Sequence, residues 1–176
     1  MRRVRNRTLA IGLAILATTF ALNGVAATAT TPPGGMVKFW ITPSANGPGA
    51  IVITGVIGDY GTATTINKNG QPDQNGDYSL VNLKEGTLEV NLTSFNEKNA
   101  KAGFPINQKS CSSEGTETGS VTLSGGTGRY EGITGELALN ETNVWILGRS
   151  TTRGRCNGTD VLYNVQLESG SGKVSF

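Results

Sequence analysis

The chain contains no histidine, and that absence decides which chemistry its residues can do. Without an imidazole, a serine or cysteine nucleophile lacks its usual general base, and a metal centre would need an all-oxygen ligand set. No catalytic residue and no metal site is nominated on these grounds. Paired carboxylates are the acid–base apparatus that remains. Glu131, Glu136 and Glu141 lie close together in sequence. Glu136 and Glu141 are five positions apart, so on one regular strand they point to opposite faces. Glu141 shares the parity of Leu137 and Leu139, which makes it the one acid expected to face inward and the single weak candidate for ligand binding. Two readings of it stay open. A charge inside a core is costly unless paired or bound, so it marks a ligand site; or the strand bulges and turns it aside, which its place near a strand end favours.

Other charged segments read as scaffolding. Asp73-Gln74-Asn75-Gly76-Asp77 starts like a calcium loop, but its sixth position is Tyr78 and its twelfth Lys84, where an EF-hand needs glycine and a bidentate glutamate. A polar hairpin tip is the better reading, with a weak extracellular calcium site as the alternative. Arg149, Arg153 and Arg155 form a basic cluster beside Cys156, read as a solvated loop ahead of an anion contact. Asn91, Asn140 and Asn157 each begin a glycosylation sequon, which matters only in a eukaryotic host.

Almost all periodicity along the chain is of period two. Val37, Phe39 and Ile41 alternate with Lys38, Trp40 and Thr42; Leu88, Val90 and Leu92 with Glu89, Asn91 and Thr93; Val161, Tyr163, Val165 and Leu167 with Leu162, Asn164, Gln166 and Glu168. Each pattern predicts a strand with its apolar face buried. Ala50 to Ile57 is nearly continuous and β-branched, which suits a strand covered on both sides or at a tight closure. Further short strands are expected near 62–66, 78–83, 120–123, 136–142, 144–148 and 173–176. Asn69-Gly70, Asn75-Gly76 and Asn157-Gly158 supply turn signals. Ser94 with Glu97 predicts a capping box on a short helix ending near Lys101. Nine or ten short strands without a long helix leave a β-sandwich or a closed antiparallel barrel.

The N-terminal segment predicts export. Arg2, Arg3, Arg5 and Arg7 precede an apolar stretch from Leu9 to Leu22, and small residues around Ala27 offer cleavage sites. The expected organisation is a signal peptide over 1–27, a disordered lead-in over 28–35 and one domain over 36–176. The apolar stretch is shorter than the roughly 20 residues of a membrane helix, so no membrane span is expected after cleavage. Four of the fifteen basic residues leave with the signal, and the remaining eleven face thirteen acids, a net charge of −2. No basic footprint for nucleic acid is left. Cys111 and Cys156, in an oxidising compartment, are expected to pair; the closed loop is worth up to about 4 kcal/mol. Secreted or extracytoplasmic placement follows as the expectation.

Ser124 to Gly135 puts five glycines and Tyr130 into twelve residues. Gly126-x-Gly128-x-x-x-Gly132 matches a dinucleotide fingerprint superficially, but period-two surroundings offer no βαβ unit. Gly126-Thr127-Gly128-Arg129-Tyr130-Glu131-Gly132-Ile133-Thr134-Gly135 instead resembles the signature of the allene oxide cyclase barrel-like and dirigent-like superfamily. Ile57-Gly58-Asp59-Tyr60-Gly61, Asn67-Lys68-Asn69-Gly70, Gly86-Thr87-Leu88-Glu89-Val90 and the terminal Gly-x-Val-Ser-Phe-like strand are similar to segments of secreted bacterial members. The resemblance implies an all-β, calycin-like, eight-stranded antiparallel barrel. In it, Gly126, Gly128, Gly132 and Gly135 serve turns and close backbone approach, and Tyr130 is a plug. It also implies a homo-oligomer and a cavity that holds a hydrophobic intermediate. The expected function is a secreted barrel that binds a small apolar ligand or a surface partner without catalysis and without a cofactor. The enzyme alternative is a cyclase or isomerase acting by confinement, and an outer-membrane barrel, suggested by Phe176, comes third.

Overall fold

The computed structural model describes residues 33–44, 47–150 and 154–176. The expected signal segment, most of the lead-in and Arg153 fall outside these residues. Nine strands follow in chain order: β1 (Gly35–Ser44), β2 (Gly47–Gly55), β3 (Asp59–Ile66), β4 (Tyr78–Leu83), β5 (Gly86–Asn91), β6 (Ile106–Asn107), β7 (Ser112–Gly126), β8 (Thr134–Arg149) and β9 (Cys156–Ser175). A helix, α1 (Thr93–Asn99), joins β5 to β6. The strands pair in the order β5-β4-β3-β2-β1-β9-β8-β7, and β5 pairs back onto β7. Every pairing is antiparallel, so eight strands close into a barrel of the expected class; β6 is a two-residue addition on β7.

Alternation explains the core. Val37 and Phe39, Ile51 and Ile53, Val121 and Leu123, and Leu137 and Leu139 are buried, while their neighbours along each strand face out. Closure leaves the barrel proper no unpaired edge. β2 departs from the expectation for its β-branched run. It is covered on one face only, because Val52 and Thr54 lie on the outer side of a single-layer barrel wall.

Strand length is a second departure. The separate short strands expected at 136–142 and 144–148 are one strand, β8, and those at 161–167 and 173–176 are one strand, β9. β7 likewise reaches back to Ser112. β7, β8 and β9 stay paired from the barrel out to Ser112, Arg149 and Cys156, well past the last pairing of β1 with β9 at Ile41 and Glu168. The result is a three-stranded ribbon standing above one barrel end.

The third departure is the facing of β9. Tyr163, Val165 and Leu167 are exposed, whereas Gln166 and Glu168 are half-buried, the reverse of the hydrophobic expectation. The cause lies further along the strand. Val174 is fully buried, which commits its parity to the interior, and Gly170 and Gly172 share that parity. A Cβ at Gly170 would collide with the Phe39 ring, and one at Gly172 with Leu137. Side-chain direction in a strand has period two, so interior glycines at 170 and 172 carry Glu168 and Gln166 inward and their apolar neighbours outward.

α1 packs on β7 through buried Phe95, which lies against Gly119. The Ser94–Glu97 capping box does not form: Ser94 sits inside the helix and Leu92 is the N-cap residue. Asn91 takes over locally, its Oδ1 accepting from the Thr93 amide at 2.8 Å.

Candidate functional site

The glycine-rich run sits at the barrel end opposite the ribbon. After β7 the chain makes one 3-10 turn, Gly128–Tyr130, and returns into β8. Gly128 and Gly132 have φ of 62° and 78°, a region that side chains beyond glycine avoid. Gly126 is held for a different reason, since a Cβ there would strike the Tyr130 and Thr87 carbonyls. Gly135 lies tight against β9 at Lys173 and Val174. This backbone drives Tyr130 into the barrel axis, where it and Ile133 are fully buried. Burying such a side chain stabilises the fold by about 1.5 to 3 kcal/mol.

The Tyr130 hydroxyl donates to Asp59 Oδ2 at 2.6 Å. Asp59 is buried and accepts two further bonds, from the Tyr60 amide at 2.7 Å and the Glu85 amide at 3.1 Å. Burial acts to raise its pKa, but the Tyr130 hydroxyl and the amides outweigh it and hold the carboxyl below its ordinary range. Tyr130 moves the other way: burial, and its bond to anionic Asp59, raise its pKa above the phenol range. Arg129 pairs with Glu85 at 2.7 Å outside the plug.

Toward the ribbon the barrel opens into a cup of about 1560 Å³. Its depth is lined by apolar side chains from every wall, including Phe39, Ile51, Val81, Leu88 and Leu139. Pro43, the Pro72–Asp77 loop and the helix residues Asn96 and Asn99 form the rim. Asp73 and Asp77 stay within that polar loop: Asp73 Oδ1 accepts from the Asn75 amide and Asp77 Oδ1 from Asn96 Nδ2. No group of acids among the described residues is arranged to hold a metal ion.

Glu141 lines the cup, on a stretch of β8 whose register with both neighbours is uninterrupted. The bulge favoured by its position is not there; the shifts in β8 begin only after Ile146. Glu136 faces solvent and Glu131 is exposed, so the three acids grouped in sequence are not grouped in space. A different trio is. Glu141 pairs directly with Glu117 of β7 on one side and Glu168 of β9 on the other, and all three line the cup. Directly opposed residues hold their Cβ atoms about 4.5 to 5.5 Å apart, and like charges there repel. Asn143 Nδ2 donates to Glu141 Oε1 at 2.7 Å, and Gln166 Nε2 to Glu168 Oε1 at 3.3 Å. No lysine or arginine is among the described lining residues. Burial first, and the neighbouring Glu141 second, push the Glu168 carboxyl up to about 7 and raise that of Glu117. A carboxyl with that value exchanges a proton near neutral pH.

Glu117, Glu168 and Asp59 escape a reading of the sequence. The first two become neighbours of Glu141 only through strand register, and the one local signal for Glu168 is its spacing from Gly170 and Gly172. At the ribbon tip, Cys111 and Cys156 form a disulfide, S–S 2.07 Å, a bond compatible with an extracytoplasmic location. Arg149 donates to the carbonyls of Gln108 and Gly154 and is part of the same clamp, while Arg155 is exposed.

Fold and site together define an antiparallel barrel plugged at one end and open at the other as an apolar cup with one acidic wall. Compared with family models, curated proteins and solved structures, the chain matches none of them.

Proposed function

We propose that the protein is an exported barrel that takes a small, mainly apolar molecule into its cup and holds it without transforming it. The cup itself carries this reading: apolar walls, a sealed floor and one open end are the usual form of a small-molecule site. The disulfide and the Arg-rich, then apolar, N-terminal segment support export. The glutamate row gives the ligand's polar end a place to hydrogen-bond, with Glu168 able to donate or accept. Native mass spectrometry and solvent extraction of protein recovered from its own host test the reading. The expected result is a co-purifying apolar molecule that is lost when Ala63→Trp fills the cup; a clean apoprotein that also takes up no apolar compounds would overturn it.

A second reading, confinement catalysis by a cyclase or isomerase, is favoured by one observation, a carboxyl of pKa about 7 beside two others in an apolar cup. It expects Glu141→Gln or Glu168→Gln to abolish turnover while ligand uptake and fold persist. It also fits the resemblance to the allene oxide cyclase barrel-like and dirigent-like superfamily. An outer-membrane role fits poorly, because a bilayer barrel needs an apolar band around its whole circumference. The outer face of β7 carries Glu114, Thr116, Thr118, Ser120 and Thr122.

A further inference from the structure

We infer that the molecule taken into the cup is a cationic amphiphile: an apolar body ending in one protonated amine, with the amine on the row of Glu117, Glu141 and Glu168 and the body in the barrel beneath it. This rests on the reading of the cup as a ligand site and adds the sign of the ligand's charge. The charge lining the cup is all of one sign. Asp73 and Asp77 at the rim and the three glutamates of the wall line it, with no lysine or arginine among the described lining residues. Acids gathered in a cleft with apolar walls focus their field on a cation and repel an anion.

The row itself is short of donors. Asn143 brings one side-chain amide to Glu141 and Gln166 one to Glu168, so the three carboxylates keep acceptor capacity for a donor from outside. An ammonium supplies both the N–H groups and the charge that these oxygens lack. A metal ion is a poorer counter-charge, because the row runs along one wall of the cup across β7, β8 and β9 and no group of acids among the described residues is arranged to hold one.

The layer beneath the row fits the rest of such a molecule. Gly119, Leu139 and Gly170 pair across the same three strands, two positions nearer the plug. The two glycines leave room for rings from other elements: Phe95 of α1 lies against Gly119 and Phe39 of β1 against Gly170. Both phenylalanines line the cup. Each glycine is about 7 Å along its strand from Glu117 or Glu168, so the carboxylates border an aromatic layer. Carboxylates above and rings below suit an ammonium and the methylenes next to it, since a ring face attracts a cation through its quadrupole. Glu117 and Leu123 both line the cup and are separated by about 20 Å of strand. With the usual strand tilt that leaves about 15 Å of depth, enough for a medium-length alkyl chain standing upright.

Isothermal titration calorimetry of the disulfide-bonded exported protein with decylamine, decanol and decanoate, each below its micelle concentration, tests the inference at about pH 8, where an alkyl amine keeps its proton as lysine does. Decylamine is expected to bind at least about 10-fold more tightly than decanol, the effect of a charge-assisted hydrogen bond. Decanoate is expected to bind at least about 10-fold more weakly than decanol, through like-charge opposition. This ranking is read on the unmutated protein and depends on no variant's folding. Combining Glu141→Gln with Glu168→Gln should cut the preference for decylamine over decanol at least about 10-fold, and Glu131→Gln, outside the cup, should leave it in place. Decanol or decanoate binding as tightly as decylamine would overturn the assignment of charge while the cup stood as an apolar ligand site; binding of none of the three would overturn both. Decylamine binding that survives Ala63→Trp, or a preference untouched by the double variant, would also overturn the inference.

Discussion

Both ends of the barrel place carboxylates inside, and the environments they meet are opposite. At the plugged end Asp59 accepts from one hydroxyl and two amides, and its pKa is lowered. At the open end three glutamates face one another, Glu141 and Glu168 each with one side-chain amide donor, and the pKa of Glu168 is raised to about 7. A buried charge with its bonds satisfied is part of the architecture. Carboxyls crowded together with few donors weaken the fold they sit in, which is how groups reserved for a ligand or a proton behave.

The contrast is broken most forcefully at Asp59. Asp59→Ala leaves the buried Tyr130 hydroxyl and two amides without their acceptor, and urea unfolding should show a loss of about 3 kcal/mol or more. A loss under about 1 kcal/mol would mean that the plug does not depend on this carboxylate. Tyr130→Phe is milder, about 2 kcal/mol, because Asp59 keeps its amide donors. Glu168→Gln should do the reverse at pH 8, leaving stability unchanged or raising it by up to about 1 kcal/mol through relief of like-charge opposition. The pH profile carries the same contrast, and its sign differs between the two ends. Glu168 in the folded protein keeps its proton to about pH 7 while the unfolded chain releases it near 4.5, so its contribution makes stability fall across that window. Asp59, held below 3.8, contributes stability that is lost only as pH drops beneath that value. Glu168→Gln should flatten the upper slope and leave the acid limb in place.

How far the sequence discloses this arrangement depends on whether a feature is local. Strands whose interior residues are apolar are legible from alternation, and Glu141 is legible by its parity with Leu137 and Leu139. Ser112 to Gly119 alternates serine, threonine, glutamate and glycine without an apolar face, so nothing local announces that β7 extends there. Asn143 sits at an interior position of β8 and divides one strand into two apparent ones. In β9 the apolar residues advertise the wrong face, because small glycines, and not the larger side chains, decide which parity fits against Phe39 and Leu137. The glutamate row is a property of three strands in register, which no single segment contains.

The pairing of β1 with β9 has a bearing on the order in which the molecule can be made. Val37 pairs with Gly172 and Gly35 with Val174, so β1 waits for β9, the ninth strand along the chain. Until β9 is available, β1 and β8 share no neighbour and Val174, a fully buried contributor to the core, is missing. Such long sequence separation delays closure. A nascent chain of this design cannot close its barrel before β9 has been made.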